Sequence, residues 1–210
     1  MSDAVSGVAT PGNGVGPWQG DLPTDSRLDP ELLTHGDARN VPDQYRYWTV
    51  EAIKADLDRQ RAGGPQLWVA IENWSHDFNI GSVVRTANAF NVAGVIIVGK
   101  KRWNRRGAMV TDRYLNIFHC ETVAEFVTSC GDLPIIGIDN IPGSIPLETF
   151  QFPKDCVLVF GQESTGLSPE IQEICLSILH ITQFGSTRSI NAGAAGAIAM
   201  FEWSRQNRTG

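Results

Sequence analysis

Residues 157–170 read Val-Leu-Val-Phe-Gly-Gln-Glu-Ser-Thr-Gly-Leu-Ser-Pro-Glu, and this stretch contains every part of a strand–loop–helix unit. Its first four residues are the continuous apolar run of a strand buried on both faces. Ser168, followed by proline, is a good N-cap and predicts where a helix begins. Gly161 and Gly166 indicate a backbone that turns sharply or approaches a ligand closely. An ordinary connection needs Gly166 but not the carboxylate of Glu163, so this loop is a candidate site.

The same rhythm continues on both sides of this unit. Apolar, β-branched runs predict strands at 67–72, 94–98, 116–119, 134–138, 156–160 and 178–182, and helical patterns lie at 80–90, 122–129, 169–176 and 190–205. Alternating strands and helices predict the α/β class, with a mostly parallel sheet covered by helices on both faces. Ligands of such sheets bind beyond the carboxyl ends of the strands, so those loops are where chemistry is expected.

Composition divides the chain into three regions. Residues 1–43 are rich in Gly, Pro, Asp and Ser without an apolar period, which predicts a flexible acidic tail. Residues 44–65 are predicted to be a helical N-terminal extension that ends at a Gly-Gly-Pro sequence. Residues 66–205 contain the alternating pattern and form the main domain.

The bulk properties exclude several classes of protein. A chain of 210 residues with 42% apolar and 19% charged residues is typical of a soluble globular protein. No apolar run reaches the roughly 18 residues of a membrane span, and the start has no signal-peptide pattern. The cysteines are widely separated and are predicted to be free thiols: Cys120, Cys130, Cys156 and Cys175. We therefore expect a reduced, cytoplasmic protein that does not bind membranes.

The net charge of −6 argues against nucleic acid as a partner, because phosphate contacts dominate such binding. Residues 1–43 account for −5 of it, however, since they hold seven acids and two arginines. The rest of the chain contains one dense basic stretch: Lys100, Lys101, Arg102, Arg105, Arg106 and Arg113. Such a run is commonly a solvated loop. Trp103 among the arginines favours RNA binding, since its ring can stack on a base.

A second candidate loop leaves a strand at residue 73 and enters the helix at 80–90. Ile80, Val83 and Val84 share one face of that helix at core-facing spacing, whereas Arg85 points nearly the opposite way. Packing therefore does not require Arg85, which could hold a phosphate or act on a substrate hydroxyl. Asn79 occupies the N-cap position, and capping is the simpler role for it.

The third candidate loop, 181–191, precedes the sequence Ala-Gly-Ala-Ala-Gly-Ala at 192–197. Glycines are costly in a helix unless a backbone must pass close to it. Close helix packing and a nearby ligand both explain them. Ser189 and Asn191 place polar groups at the start of that helix.

Other motifs are absent or misleading. No G-x-G-x-x-G follows the first strand, which disfavours a Rossmann-type enzyme. Residues 94–101 imitate the start of a P-loop but form a buried-strand sequence without the Ser or Thr that follows its lysine. The four histidines are too scattered for a metal site, and no nucleophile–His pair is visible.

Together the three loops resemble the sequence motifs of the SpoU/TrmH group in the SPOUT methyltransferase superfamily. The match consists of Asn79-x-Gly81-(x3)-Arg85, then Gly161-x-Glu163-(x2)-Gly166-Leu167-Ser168, then Ser189-Ile190-Asn191. Each motif is weak alone, but all three occur in the right order beyond predicted strands. The resemblance covers about residues 66–205.

The resemblance implies an α/β fold with a C-terminal trefoil knot that binds S-adenosylmethionine, although knots break the usual rule against threaded chains. It also implies a homodimer that methylates a ribose 2′-hydroxyl of tRNA or rRNA. Arg85 would be the catalytic arginine, with Asn79, Glu163 and Asn191 completing the substrate side. The cofactor would contact Ile138 or Asp139, Gly161, Ile181, Ser189 and Ile190. A guanidinium is a very weak base, so proton removal and electrostatic positioning both stay open for Arg85.

The chain departs from the family pattern at two places. Ile181-Thr182-Gln183 stands where relatives usually have Ile-Pro-Met, and Ala192-Gly193 replaces a Val-Ser or Leu-Ser pair. Neither change touches the residues assigned to methyl transfer.

Two alternatives belong to other classes of protein. A knotted RNA-binding or assembly protein without catalysis would not need Asn79, Arg85, Glu163, Ser189 and Asn191 together. A domain that binds only small molecules would not need the basic stretch. The sequence does not identify which RNA, or which nucleotide, is the substrate.

Overall fold

The computed structural model describes residues 14–73, 79–187 and 189–208. Within them lies one seven-stranded sheet in the order β3-β2-β1-β6-β4-β7-β5, and every pairing is parallel. The strands are β1 (Leu67–Asn73), β2 (Gly94–Gly99), β3 (Ile117–Cys120), β4 (Ile135–Ile138), β5 (Ile145–Pro146), β6 (Cys156–Phe160) and β7 (Ser177–His180). The predicted parallel α/β sheet is confirmed.

The burial of the central strands explains why the sheet could be predicted from the sequence. All residues of β2, β4 and β6 are buried, as continuous apolar runs predict. The short β5 was not predicted. It has two residues, one of them a proline, and so carries no strand pattern.

Helices cover both faces of the sheet, as the alternating pattern predicts. The six helices of the described residues are α1 (Pro30–His35), α2 (Val50–Arg61), α3 (Ile80–Ala89), α4 (Val123–Cys130), α5 (Pro169–Ile174) and α6 (Ala192–Asn207). Buried side chains of α3 and α6 join one core cluster with Leu67, Val95 and Leu158 of the sheet. Those of α4 and α5 join a second cluster with Ala70 and Val157, whose side chains face the other way. Short 3-10 helices span Asp43–Tyr45, Arg105–Ala108, Thr111–Tyr114 and Leu147–Thr149.

The helix α3 meets two other segments at very short distances. A Cβ added to Gly81 would lie 2.7 Å from the Cα of Gly107, and one added to Gly193 would lie 2.9 Å from the Cβ of Ser82. The first contact holds the 3-10 helix Arg105–Ala108 against α3, and the second holds α6 against it. Close packing therefore explains glycine at position 193.

The chain divides into two compact units, Met1–Gln60 and Arg61–Gly210. In the first unit the structure differs from the tail predicted for residues 1–43, since α1 lies there and Asp37 is fully buried. The Asp37 carboxylate accepts hydrogen bonds from the Arg39 side chain at 2.8 and 2.7 Å and from the backbone amide of Tyr47. Burial alone would raise the pKa of Asp37, but these hydrogen bonds outweigh it and lower that pKa. Composition gave no sign of this local polar core. Residues 1–13 lie outside the described residues.

The predicted extension at 44–65 is helical only in part, because α2 begins at Val50 after the 3-10 helix Asp43–Tyr45. Tyr47, between the two, has a positive φ of 62°, which a continuous helix does not allow. In the described part of the chain, no helix combines the length and apolarity that crossing a bilayer requires.

The four cysteines are free, as predicted. Cys120, Cys130 and Cys156 are buried and Cys175 is half-buried. Burial raises the pKa of the Cys156 and Cys175 thiols to about 12, which makes them unreactive at neutral pH.

We expect Gly81→Ala to lower the free energy of unfolding by about 1–3 kcal/mol, because the new methyl group overlaps the backbone of Gly107. Urea denaturation followed by tryptophan fluorescence measures this loss. Gly64→Ala is the control, since its Cβ would lie 3.5 Å from the nearest atom, the Arg61 carbonyl oxygen. Equal midpoints for the two variants would contradict the close contact.

Candidate functional site

A cavity of about 350 Å³ opens at the carboxyl ends of β4, β6 and β7. The beginning of α6 closes one side of it through Ala192 and Ala195. Its lining includes all six residues predicted to contact a cofactor: Ile138, Asp139, Gly161, Ile181, Ser189 and Ile190. Glu163 and Asn191, from the predicted substrate side, line it as well. The structure thus brings the loops after three strands around one space, as the sheet topology requires.

The loop after β6 turns back on itself beside this cavity. Gln162 and Gly166 form a pair of backbone hydrogen bonds, from Gln162 N to Gly166 O at 3.0 Å and from Gly166 N to Gln162 O at 2.8 Å. Gly166 has a φ of +68°, which favours glycine. A Cβ on Gly161 would lie 2.1 Å from the carbonyl carbon of Gly166, so no larger residue fits there. Both glycines are therefore needed by the turn itself, which presents Glu163 at its exposed tip.

Two carboxylates from the sheet hold the end of this loop. Asp139 Oδ2 accepts a hydrogen bond from the backbone amide of Leu167 at 2.8 Å. Glu72, fully buried at the end of β1, accepts one from the next amide, that of Ser168, at 2.8 Å. The sequence analysis missed Glu72, although a carboxylate at the end of a buried strand is an unusual residue that could have indicated it.

Side chains of all three sequence motifs meet at Asn79. Its Nδ2 donates a hydrogen bond to Glu163 Oε2 at 2.6 Å, and its Oδ1 accepts one from Asn191 Nδ2 at 2.8 Å. These three residues are separated by 84 and 112 positions in the sequence, so only the fold brings them together. Asn79 is thus the central member of a hydrogen-bonded chain that joins the three loops.

The simple capping role expected for Asn79 is wrong. Asn79 precedes α3, but its side chain makes no capping hydrogen bond and its backbone is already helical, with φ −82° and ψ −14°. Asn191 is the residue that caps a helix, because its Oδ1 accepts from the amides of Gly193 at 2.9 Å and Ala194 at 3.3 Å. The Asn191 side chain therefore serves the start of α6 and the Asn79 contact at once.

Arg85 lies outside the cavity lining. Its side chain is exposed on α3, opposite the buried face, as the spacing predicts. Six residues along a helix place it about 9 Å from Asn79 along the helix axis.

The loop after β7 lines the cavity through Ile181 and Gln183. Thr182, one of the departures from the family pattern, donates a hydrogen bond from Oγ1 to Glu148 Oε1 at 2.5 Å. The Thr182 hydroxyl is therefore held by Glu148. The same hydrogen bond lowers the pKa of the Glu148 carboxyl. His180, also in the lining, pairs with the Ser144 hydroxyl at 3.0 Å.

The basic stretch begins directly after β2, and Asn73 at the end of the neighbouring β1 holds its first residues. Buried Asn73 donates hydrogen bonds from Nδ2 to the carbonyl oxygens of Lys100 at 2.5 Å and Arg102 at 2.9 Å. All six basic residues are exposed: Lys100, Lys101, Arg102, Arg105, Arg106 and Arg113. Trp103 behaves differently from the stacking group that we expected. It is half-buried and packs against the core, and the Arg105 guanidinium lies over its ring, 5.5 Å from the centroid.

Comparison with known proteins agrees with this geometry. The model of the SpoU rRNA Methylase family matches residues 66–201. The chain belongs to this family. A protein named tRNA/rRNA methyltransferase from Mycobacterium sp. (strain KMS) is 31% identical over 70% of this chain and 49% of its own length. One from Mycobacterium avium (strain 104) is 31% identical over 87% of this chain and 60% of its own. The chain thus spans about half the length of the first of these relatives.

Solved structures give the same relationship. The A. aeolicus TrmH/SpoU tRNA modifying enzyme superposes with a TM-score of 0.61 and 26% identity over 73% of this chain and 83% of its own. The SpoU methyltransferase AviRb from Streptomyces viridochromogenes, crystallised with AdoMet, gives 0.59 and 26% over 72% of this chain and 61% of its own. The sheet and its covering helices are therefore those of SpoU-family methyltransferases.

We expect Asn191→Ala to lower the free energy of unfolding by about 1 kcal/mol, because α6 loses its cap. Asn191→Asp should recover part of this loss, since a carboxylate still accepts both amide hydrogen bonds and is favoured at a helix N-terminus, although it cannot donate to Asn79 Oδ1. Thermal unfolding of the two variants measures the difference. If Asn191→Asp lost as much stability as Asn191→Ala, capping would not be the stabilising role of this side chain.

Proposed function

We propose that this protein transfers a methyl group from S-adenosylmethionine to a ribose 2′-hydroxyl of tRNA or rRNA. The observation that carries the proposal is the hydrogen-bonded chain Glu163–Asn79–Asn191 at the mouth of the cavity. A fold that only bound RNA would not need to join three distant loops beside a pocket of this kind. The names of the mycobacterial relatives, and the AdoMet complex of AviRb, support the same activity.

The cavity suits S-adenosylmethionine in size and chemistry. Its volume of about 350 Å³ lies within the roughly 300–1,000 Å³ of small-molecule sites. Ile138, Ile181 and Ile190 supply apolar surface, whereas Asp139 and Ser189 supply polar groups. Gly161 contributes its backbone to the lining. When bound, the cofactor supplies an electrophilic methyl group on a sulfonium.

Arg85 acts on the substrate in this proposal. In the transfer the ribose hydroxyl would give its proton to solvent water as its oxygen takes the methyl group and the thioether leaves, so negative charge develops on that oxygen. A guanidinium in a protein keeps its proton and presents several N–H donors, which suits it to stabilise that oxygen and hold the adjacent phosphate. We therefore assign Arg85 an electrostatic and positioning role instead of that of a base. Glu163 and Asn191, fixed by Asn79, orient the ribose on the side of the cavity.

The proposal includes a homodimer whose site draws on both subunits. Two observations support it. Arg85 lies outside the cavity lining of its own chain, and α6 has an apolar stripe on its outer face, with Ile198 40% exposed and Phe201 57% exposed. Exposed apolar surface at helical spacing is typical of subunit contacts.

The family also implies a trefoil knot around the loop 181–191. The proposed function implies a location in the cytoplasm, where free thiols are stable.

We expect purified protein to transfer labelled methyl groups from S-adenosylmethionine to one of two pools, unmodified tRNA or rRNA. The modified nucleotide should resist alkaline cleavage, since ribose methylation blocks attack by the 2′-hydroxyl. Arg85→Ala should lower the turnover rate on the order of 10²–10³-fold without changing cofactor affinity. Arg85→Lys should recover part of the rate, because it restores the charge but not the planar set of donors.

Arg59→Ala is the matched control, since Arg59 is an exposed arginine of α2 that pairs with Asp56 and does not line the cavity. Its turnover should equal that of the wild type. Label that remained sensitive to alkali would indicate methylation of a base and refute the 2′-hydroxyl as acceptor. RNA binding without cofactor binding or transfer would favour the non-catalytic assembly protein instead.

A further inference from the structure

Two apolar residues, Met109 and Val110, lie within the basic stretch, and we call this pair its tip. Met109 and Val110 connect the 3-10 helices Arg105–Ala108 and Thr111–Tyr114 and are 63% and 54% exposed. Exposed arginines precede and follow them in the sequence, Arg105 and Arg106 on one side and Arg113 on the other. Packing does not require large apolar side chains to be exposed among cations. Their exposure therefore needs another explanation.

The backbone at this tip is held in a costly conformation. Met109 and Val110 have φ values of 48° and 69°, in the left-handed region. Positive φ is uncommon for any residue with a side chain, and for a β-branched residue such as valine it is an outlier. Strain of this kind persists where the surrounding structure enforces it, and it concentrates at functional sites.

Local contacts enforce this conformation. Thr111 Oγ1 donates to the carbonyl oxygen of Ala108 at 2.6 Å, and Met109 N donates to that of Arg106 at 3.2 Å. Arg105 and Asp112 form an ion pair at 3.4 Å across the tip. Ala108 is fully buried beneath it. The two side chains are therefore presented by a fixed turn.

The tip is attached to the helix that carries the candidate catalytic residues. Gly107 lies against Gly81, and its own Cβ would be only 3.1 Å from the backbone nitrogen of Ser82. This is the first turn of α3, which begins directly after Asn79 and continues to Arg85. A ligand held at the tip is thus held by the same rigid unit as a ligand at Arg85.

The surrounding charge favours RNA as the occupant. Six exposed cations lie in a stretch of 14 residues, in a chain whose net charge is −6. Trp103, half-buried with Arg105 over its ring, is not the exposed ring that base stacking requires. Met109 and Val110 are the apolar groups that remain exposed among these cations. The faces of RNA bases are apolar, and unpaired bases can be splayed out of the stack at a lower cost than paired ones.

We infer that Met109 and Val110 form an apolar wedge that packs against unpaired nucleotides, while the neighbouring arginines bind the phosphates. This inference rests on the proposed function, because it presumes that RNA is the substrate. It adds the class of RNA: a stem-loop or bulge, not a continuous duplex. Apolar side chains inserted at base steps are an established means by which proteins separate stacked bases.

The test compares binding of two RNAs, a stem-loop and a fully paired duplex of equal length, by fluorescence anisotropy over a range of salt concentrations. Met109→Asn with Val110→Asn removes the apolar surface, and asparagine tolerates positive φ, so the fold should be retained. We expect this double variant to bind the stem-loop on the order of tenfold more weakly, with the salt slope and duplex affinity unchanged. Its melting temperature should equal or exceed that of the wild type.

Two further variants separate charge from apolar contact. Leu176→Asn is the matched control, since Leu176 is 65% exposed but lies outside the basic stretch, and it should bind both RNAs as the wild type does. Arg102→Gln with Arg106→Gln should weaken binding to both RNAs and reduce the salt slope, because phosphate contacts are lost while the Arg105–Asp112 ion pair stays in place.

The outcomes are distinguishable. If the wild type binds neither RNA, the proposed function fails together with the wedge. If it binds RNA but the double asparagine variant binds the stem-loop equally well, the wedge alone is wrong. If that variant instead changes the mass measured by light scattering, the tip is a contact between copies of the chain, and the inference is overturned.

Discussion

The arrangement of the site depends on the first turn of α3, where two other segments pack against the helix at very short distances. Gly81 allows Gly107 to approach on one side, and Gly193 allows α6 to approach Ser82 on another. Asn79, one residue before the helix, bonds to the loops that follow β6 and β7. Protein interiors are too densely packed to absorb an extra methyl group at such contacts without cost. Gly81 and Gly193 are therefore structural requirements of this packing.

Continuous apolar runs made most of the fold predictable. A strand buried on both faces must be apolar throughout, and β2, β4 and β6 meet that condition. The features that escaped prediction lack such a repeating pattern. The two-residue strand β5 pairs with β7 only through backbone groups that any sequence provides. The order in residues 14–43 depends on one buried carboxylate, Asp37, whose partners lie two and ten residues away. The composition of this region shows only its excess of acids and does not reveal a single buried carboxylate.

Sequence spacing predicted which residues surround the site better than it predicted what each side chain does. Residues placed directly after strands line the cavity, because parallel strands end at a common edge. The two asparagines show the limit of this reasoning. Asn79 and Asn191 both precede helices and both have the amide that a cap requires, yet only Asn191 caps its helix. The atom of Asn79 that could cap, Oδ1, instead accepts a hydrogen bond from Nδ2 of Asn191, which lies 112 residues away. No local pattern contains that information.

The charge of the molecule illustrates why position matters more than the total. Exposed charges are screened over about 8–10 Å at physiological salt, so an RNA phosphate responds to the cations nearest to it. The basic stretch is attached to the first turn of α3 by Gly107, and Asn73 holds the backbone at its beginning. Most of the excess acid lies in the other compact unit, within residues 1–43. A chain with a net charge of −6 therefore presents six exposed cations within 14 residues, and its net charge alone is a poor guide to whether the proposed RNA substrate binds.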